Sequence, residues 1–387
     1  MIYLDNSATT KQFHDVTRLM TEYMEDFFGN PSSLYQLGLD SENAVKKARK
    51  QVEKAVGNGA GIICFTSGGT ESDNMALFGA AKALKRKGNK IVTTKAEHPA
   101  VLECCKSLED MGFEVVYVDV DRNCRLDMQH MENAIDDRTI LVSVMHVNNE
   151  TGTIMPVSDI KGIMKAKGSE GLLHCDAVQS FGKLPMPAEA DLISVSGHKI
   201  HGPKGIGALY IKKGVNLPAF IVGGGQEGGR RSGTENVPAI AGIGLAAEMA
   251  YRKRSDDMFR IAETRRALVK GLTDNIGDIV INSPENVGED AGMCCPAVLS
   301  ISFLGTRGEV LLHTLEQDGI YVSTGSACSS NKKGQSHVLS AMGLKHKEIE
   351  GTVRFSFGRF NSPDEMEFVT EKVTAAVKKF RRLGSFR

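Results

Sequence analysis

Between about residues 40 and 255, short apolar, β-branched runs alternate with helical patterns, and no other feature restricts the fold as strongly. The runs fall at 62–66, 90–94, 114–119, 139–147, 172–175, 191–195 and 207–211. Helical patterns at 73–86, 98–111 and 158–167 lie between them. An earlier one carries Ala44, Val45, Ala48, Val52, Ala55 and Val56 before a stop at Gly57. Strands this apolar need cover on both faces, so the pattern predicts an α/β fold with a large, mainly parallel sheet between helices. Ligands of such sheets belong at the carboxyl ends of the strands. The stretch Gly223-Gly224-Gly225-Gln226-Glu227-Gly228-Gly229 cannot be regular structure and reads as a functional loop. After a long helical pattern from 238 to about 272 the texture changes. Strand-like segments at 297–303, 319–323 and 353–357 alternate with helices near 309–317 and 364–379. That predicts a smaller α+β domain, joined by the N-terminal segment. The expected division is a large domain, 16–255, and a small one, 256–387 with 1–15.

The length of 387 residues suits two such domains, and no internal repeat or low-complexity tract intervenes. Lysine plus arginine equals aspartate plus glutamate at 47 each, so the charge balance gives no reason to expect a nucleic-acid partner. The basic stretch Lys378-Lys379-Phe380-Arg381-Arg382 reads as a solvated helix end. The start, Met1 to Asn6, lacks the basic and apolar regions of a signal peptide. Nor does any apolar run approach the roughly 18 residues of a membrane span. The eight cysteines form no CxxC pair, which argues against a zinc site. Their vicinal pairs, Cys104-Cys105 and Cys294-Cys295, are poorly placed for ordinary disulfides. The expectation is a reduced, cytoplasmic protein without a metal.

Lys199 stands where the run 191–195 meets a glycine-rich turn, in Ser196-Gly197-His198-Lys199-Ile200-His201-Gly202-Pro203-Lys204-Gly205. A lysine held there, partly desolvated and with small neighbours, suits a Schiff base to a planar cofactor. Asp176 ends another buried run, as a partner for a pyridine nitrogen would, and Gln179 follows it. A helix cap explains Asp176 but not Gln179 as well. These features suggest pyridoxal phosphate. Thr66-Ser67-Gly68-Gly69-Thr70-Glu71-Ser72 joins a strand to a helix and fits a phosphate, although an N-cap threonine would read the same way. His98, before Pro99 at a helix start, sits at a strand's carboxyl end, where an imidazole can stack on a ring and move protons. Asn148-Asn149-Glu150-Thr151-Gly152 offers amides to a ring hydroxyl, or simply a turn closed by Asx hydrogen bonds.

Arg354 alternates with Phe355 and Phe357 in the small domain. By default such an arginine faces solvent; it could equally clamp a carboxylate through two parallel bonds. Cys328 is the most discriminating position. Its surroundings, Ser323-Thr324-Gly325-Ser326-Ala327-Cys328-Ser329-Ser330-Asn331-Lys332-Lys333-Gly334-Gln335-Ser336, are too small and polar for a core. A cysteine on an exposed loop can act as a nucleophile, whereas the other seven lie mostly in apolar contexts and read as small hydrophobes.

On these residues the chain resembles the cysteine desulfurases of the NifS/IscS type, within the class V aminotransferases of pyridoxal phosphate fold type I. The resemblance runs from Tyr3-Leu4-Asp5-Asn6-Ser7-Ala8-Thr9-Thr10 to Arg354–Arg359, and includes Arg231-Ser232-Gly233-Thr234-Glu235-Asn236. Gly325-Ser326-Ala327-Cys328, on a long loop, is similar to the group I arrangement. It implies that Lys199 carries the cofactor, His98 stacks on the ring, Asp176 pairs with the ring nitrogen, and Asn149 and Gln179 contact the ring oxygen region. Gly69, Thr70, Ser196 and His198 would bind the phosphate, with Thr234 supplied by the second subunit of a homodimer, and Arg354 with Asn149 would hold the substrate. Two positions depart from the family pattern: Gly228, where a basic residue is frequent, and Tyr35, where histidine is common.

The implied reaction converts L-cysteine to L-alanine. Lys199 removes the α-proton, and the Cys328 thiolate takes the substrate sulfur as a persulfide. A sulfur-acceptor protein, an iron–sulfur scaffold or a tRNA-thiolating enzyme, would receive it. A selenocysteine lyase, another class V enzyme, or an idle sulfur-transfer scaffold are the alternatives.

Overall fold

The computed structural model describes residues 1–285, 292–324 and 335–384. In chain order its elements are β1 (Ile2–Tyr3), α1 (His14–Glu25), α2 (Gln36–Val56), β2 (Gly61–Thr66), α3 (Gly69–Leu84), β3 (Lys90–Thr94), α4 (Pro99–Asp110) and β4 (Glu114–Val118). Next come α5 (Met128–Ala134), β5 (Thr139–Met145), α6 (Val157–Ala166), β6 (Leu172–Asp176), β7 (Leu192–Ser196), β8 (Gly207–Lys212) and α7 (Val237–Asn275). The C-terminal part holds β9 (Ile279–Ile281), β10 (Val298–Phe303), α8 (Gly308–Gln317), β11 (Ile320–Tyr321), α9 (His337–Ala341), α10 (His346–Glu350), β12 (Thr352–Ser356) and α11 (Glu365–Gly384).

All seven apolar runs of the first half become strands of one sheet, in the order β2-β8-β7-β6-β5-β3-β4. Only β8 opposes the rest, pairing antiparallel with β2 and β7. Alternation along each strand feeds two cores. Ile193, Val195, Ala208 and Tyr210 face one side with residues of α2, α6 and the first half of α7. Leu192, Leu209 and Ile211 face the other, under α3 and α4. Both faces are therefore dry, as the unbroken apolar runs require. The carboxyl ends of β2, β3, β5, β6 and β7 then lie along one edge of the sheet, and the segments that follow them carry the predicted site residues.

The C-terminal part has its own core. Strands β12-β10-β9 form an antiparallel sheet, and Leu299, Ile301, Phe303, Val353 and Phe355 bury against α8 and α11. The N-terminal segment joins this part, through β1 alongside β11 and an Asp5–Ser356 bridge. Helix α7 links the cores: Val237 to Ala247 bury in the first, Ile261 to Leu272 in the second. Arg381, in the basic C-terminal stretch, donates to the carbonyls of Leu304, Gly277 and Asp278, each at 2.9 Å, as a helix end docked on its own domain.

Two readings need correction. Arg354 is not a surface residue: it lies on β12 with 2% of its area exposed, because the N-terminal segment and β5 turn cover that face. No threonine caps α3 either; its N-cap is Gly68, and Thr66 Oγ1 instead donates to the Gly68 carbonyl at 3.1 Å.

Candidate active site

A cavity of about 200 Å³ opens at the carboxyl edge of the large sheet. It gathers Gly69, Thr70, His98, Asn149, Asp176, Gln179, Ser196, His198, Lys199 and Arg354 from six separate stretches of chain. Thr234 does not reach it and is exposed. Cys328 lies outside the described residues.

The floor is set by close backbone approach. Gly207 begins β8 beside the turn that leads into α3, and a Cβ there would meet the Gly68 carbonyl carbon at 2.6 Å. That contact fixes the turn so that the first N–H groups of α3, a helix of 16 residues, face the cavity end. Ser196, the last residue of β7, lies alongside.

Lys199 ends a single 3-10 turn, Gly197–Lys199, and its Nζ donates to the carbonyls of Ser7 and Ala8, the latter at 2.8 Å. Gln179 Nε2 donates to the same Ser7 carbonyl at 2.9 Å. Asp176 closes β6; its Oδ1 accepts the Val178 N–H at 2.9 Å, which fixes the carboxyl's orientation. Burial raises the Asp176 carboxyl above its usual range, and His98 and Lys199 pull it back down. A positive group near it would be strongly favoured in that setting.

His98 is the N-cap of α4. Its Nδ1 accepts the Ala100 N–H at 3.2 Å, which leaves the ring proton on Nε2. Burial holds it below the ordinary histidine range, so the ring is neutral at pH 7. His198 is pushed down to about 4 by burial and then by Lys199, and its Nδ1 lies 3.2 Å from Thr9 Oγ1. Asn148, not Asn149, closes the turn after β5: its Oδ1 accepts the N–H groups of Glu150 and Thr151 at 2.9 and 3.0 Å. The neighbouring Asn149 is left to line the cavity. Arg354 is held from two sides, by Asp5 Oδ1 at 2.8 Å and the Asn149 carbonyl at 3.1 Å.

Sequence reasoning missed two contributors. Ser7 supplies the carbonyl that positions both Lys199 and Gln179; its signal was the N-terminal motif itself. Asp73 lines the cavity from the second turn of α3, with His174 Nε2 at 3.6 Å, and burial raises its carboxyl well above normal. In the sequence it resembles an ordinary acidic residue at a helix start.

Among the described residues, Ser196 Oγ and Gln179 Oε1 are buried and have no protein partner, although both side chains line the cavity. Buried polar atoms in that state call for a polar ligand. A ring with a phosphate at the helix N-terminus, a nitrogen by Asp176 and a carbonyl by Lys199 would fit this donor set.

Fold and cavity together define a pyridoxal phosphate fold type I architecture. Residues 2–369 match the family described as aminotransferase class-V, and the chain belongs to it. It is 43% identical over 387 residues to a cysteine desulfurase IscS of Methanosarcina thermophila, covering 99% of this chain and 93% of the relative. The IscS of Dictyoglomus turgidum is 39% identical over 389 residues, with 100% and 97% covered. Among solved structures, a NifS-like protein superposes with a TM-score of 0.87 at 38% identity over the full length of both chains. A NifS-like protein from Rickettsia africae gives 0.85 at 29% identity, covering 98% of this chain and 99% of the other. Among the described residues, no helix is long and apolar enough to cross a membrane.

Proposed function

We propose that this cavity binds pyridoxal 5'-phosphate and desulfurates L-cysteine, with Cys328 taking the sulfur. The chain is a pyridoxal phosphate-dependent cysteine desulfurase, the activity named for its full-length relatives. The observation that carries the site assignment is the meeting of Lys199, Asp176, His98 and Arg354 in one cavity.

When bound, the cofactor supplies an electron sink for the charge left at the substrate's α-carbon. The protein's part is positioning and proton transfer. Gly69 and Thr70 would offer backbone N–H groups to the phosphate, with Ser196 Oγ and His198 beside them. Lys199 Nζ would hold the cofactor, and it is the group placed to remove the substrate's α-proton. Asp176 would hold the ring nitrogen in its protonated form. His98 would stack on the ring, and Gln179 and Asn149 would contact its oxygen. Arg354, already oriented by Asp5, takes the substrate carboxylate together with Asn149.

The Cys328 thiolate then attacks the substrate sulfur. Overall, L-cysteine and the Cys328 thiol give L-alanine and a Cys328 persulfide: a carbon–sulfur bond breaks, a sulfur–sulfur bond forms, and the displaced proton ends on carbon. Thr234, exposed and away from its own cavity, would serve a second copy across a two-fold interface. The sulfur would pass to an iron–sulfur scaffold or a tRNA-thiolating enzyme. Seven reduced, buried cysteines support a reducing compartment, the cytoplasm. Domains 16–255 and 256–387 with 1–15 would follow the two cores, except that Phe13, Val338, Leu339, Met342 and Leu344 pack into the first core and Val147 into the second.

The test is Cys328→Ser. It should load cofactor as the wild type does and respond spectrally to L-cysteine, yet form neither persulfide nor sustained alanine. An active Cys328→Ser enzyme, with sulfur on Cys64, Cys104, Cys175 or another cysteine, would overturn the assignment.

A further inference from the structure

We infer that Glu150 is a positioning residue, which sets the stem of the Cys328 segment against the substrate clamp through Ser336. This rests on the reading of Cys328 as the sulfur acceptor. Residues 325–334 are flanked by two stems, and both end on the site. Upstream, Ser323 and Arg354 exchange backbone hydrogen bonds in both directions, at 3.1 and 2.7 Å. Downstream, the Ser336 hydroxyl donates to Glu150 Oε2 at 2.5 Å and accepts the Leu339 N–H at 3.1 Å as the N-cap of α9. Glu150 directly follows Asn149, whose carbonyl receives Arg354. Ser336, Glu150, Asn149, Arg354 and Ser323 thus form one connected path from stem to stem, and it passes through the two residues assigned to the substrate.

Glu150 is 4% exposed. A carboxyl in that position is costly to bury, and an apolar side chain would fill the space without the penalty. Burial pushes it up to about 7, against the pull of Ser336 and Arg354. Its one described hydrogen-bonded side-chain partner outside its own turn is Ser336. A group so placed has no direct reach to the chemistry as the structure stands, since it does not line the cavity. What it fixes is the distance between the stem and the clamp.

The experiment compares wild-type holoenzyme with Glu150→Ala, Glu150→Gln, Ser336→Ala and the double Glu150→Ala/Ser336→Ala variant. One readout is the cofactor absorbance change on mixing with L-cysteine, which precedes Cys328 chemistry. The other is the rate at which sulfur appears on the Cys328 peptide in quenched samples. Both alanine variants should keep the spectral response, while persulfide formation falls by about 10²-fold, the scale of a misplaced reacting group. Glu150→Gln retains an acceptor for Ser336 and should lose far less. The double variant should be no worse than either single one, because the two act as a unit. Ser336→Ala tests the link from its other end, so a misfolded Glu150→Ala does not remove the test. Unchanged persulfide rates, additive losses, or equal loss of the spectral response would overturn the inference. Wild type that places sulfur elsewhere than Cys328 would sink the acceptor assignment instead, and is told apart by the same mass measurement.

Discussion

The carboxyl edge of the large sheet and the wall formed by the small domain build their halves of the site differently. At the sheet edge each residue stands at or just past the end of a strand whose register is fixed by buried neighbours: Asp176 ends β6, Ser196 ends β7, and Asn149 lies in the turn after β5. Position follows from the sheet. On the wall, Arg354 lies within a strand, and its guanidinium is placed by Asp5 and by the Asn149 carbonyl, from regions far apart in sequence. There, position follows from tertiary contacts. One half is set by the fold's topology, the other by how two domains and a terminus meet.

The largest effect should come from breaking the sheet-edge half. Lys199→Ala removes anchor and base together, so alanine formation should fall by about 10³-fold or more. Borohydride should no longer fix the cofactor to the protein. A variant that releases alanine at the wild-type rate would show that the edge does not carry the chemistry.

Breaking the wall should look different. Arg354→Lys keeps the charge but loses the planar two-bond geometry. The cofactor spectrum should be unchanged, while KM for L-cysteine rises by about 10- to 100-fold, the worth of one charged hydrogen bond. Loss of cofactor binding in this variant would mean that the two halves are not separable.

A smaller, pH-dependent effect sharpens the comparison. His174 lies beneath the sheet edge, with Ser143 Oγ at 2.8 Å and Ser194 Oγ at 3.0 Å, and burial depresses it to about 3. A depressed histidine contributes stability that is present above its unfolded value near 6.5 and lost as pH falls toward the folded value. Between pH 6.5 and 4 that loss is about 3 kcal/mol. The melting temperature of His174→Gln should therefore fall less steeply over that window than the wild type's. Parallel curves would mean that this histidine is not held neutral.

The same contrast explains what the sequence made legible. Strands of the large sheet announce themselves because both faces are dry, and the site residues at their ends follow from that. The short elements do not. Helix α1 buries only Val16, α9 and α10 have five residues each, and β9 has three, so none leaves a periodic trace. The burial of Arg354 was invisible because its partners are more than 200 residues away. Asp73 was missed because the helical pattern reads as starting there, and an acid at a helix start has a common surface explanation, whereas α3 begins at Gly69. Gly228, a departure from the family pattern, has φ +62, where glycine is the residue of least strain. The other departure, Tyr35, is exposed, and nothing in the structure explains it.

The central claim is that one cavity breaks the carbon–sulfur bond and Cys328 receives the sulfur. A single-turnover experiment without reductant tests it most directly, by counting alanine released and sulfur bound on the Cys328 peptide in the same sample. The account predicts one sulfur on Cys328 for each alanine, and neither product from Lys199→Ala. Alanine released in full with no sulfur on Cys328 would contradict it.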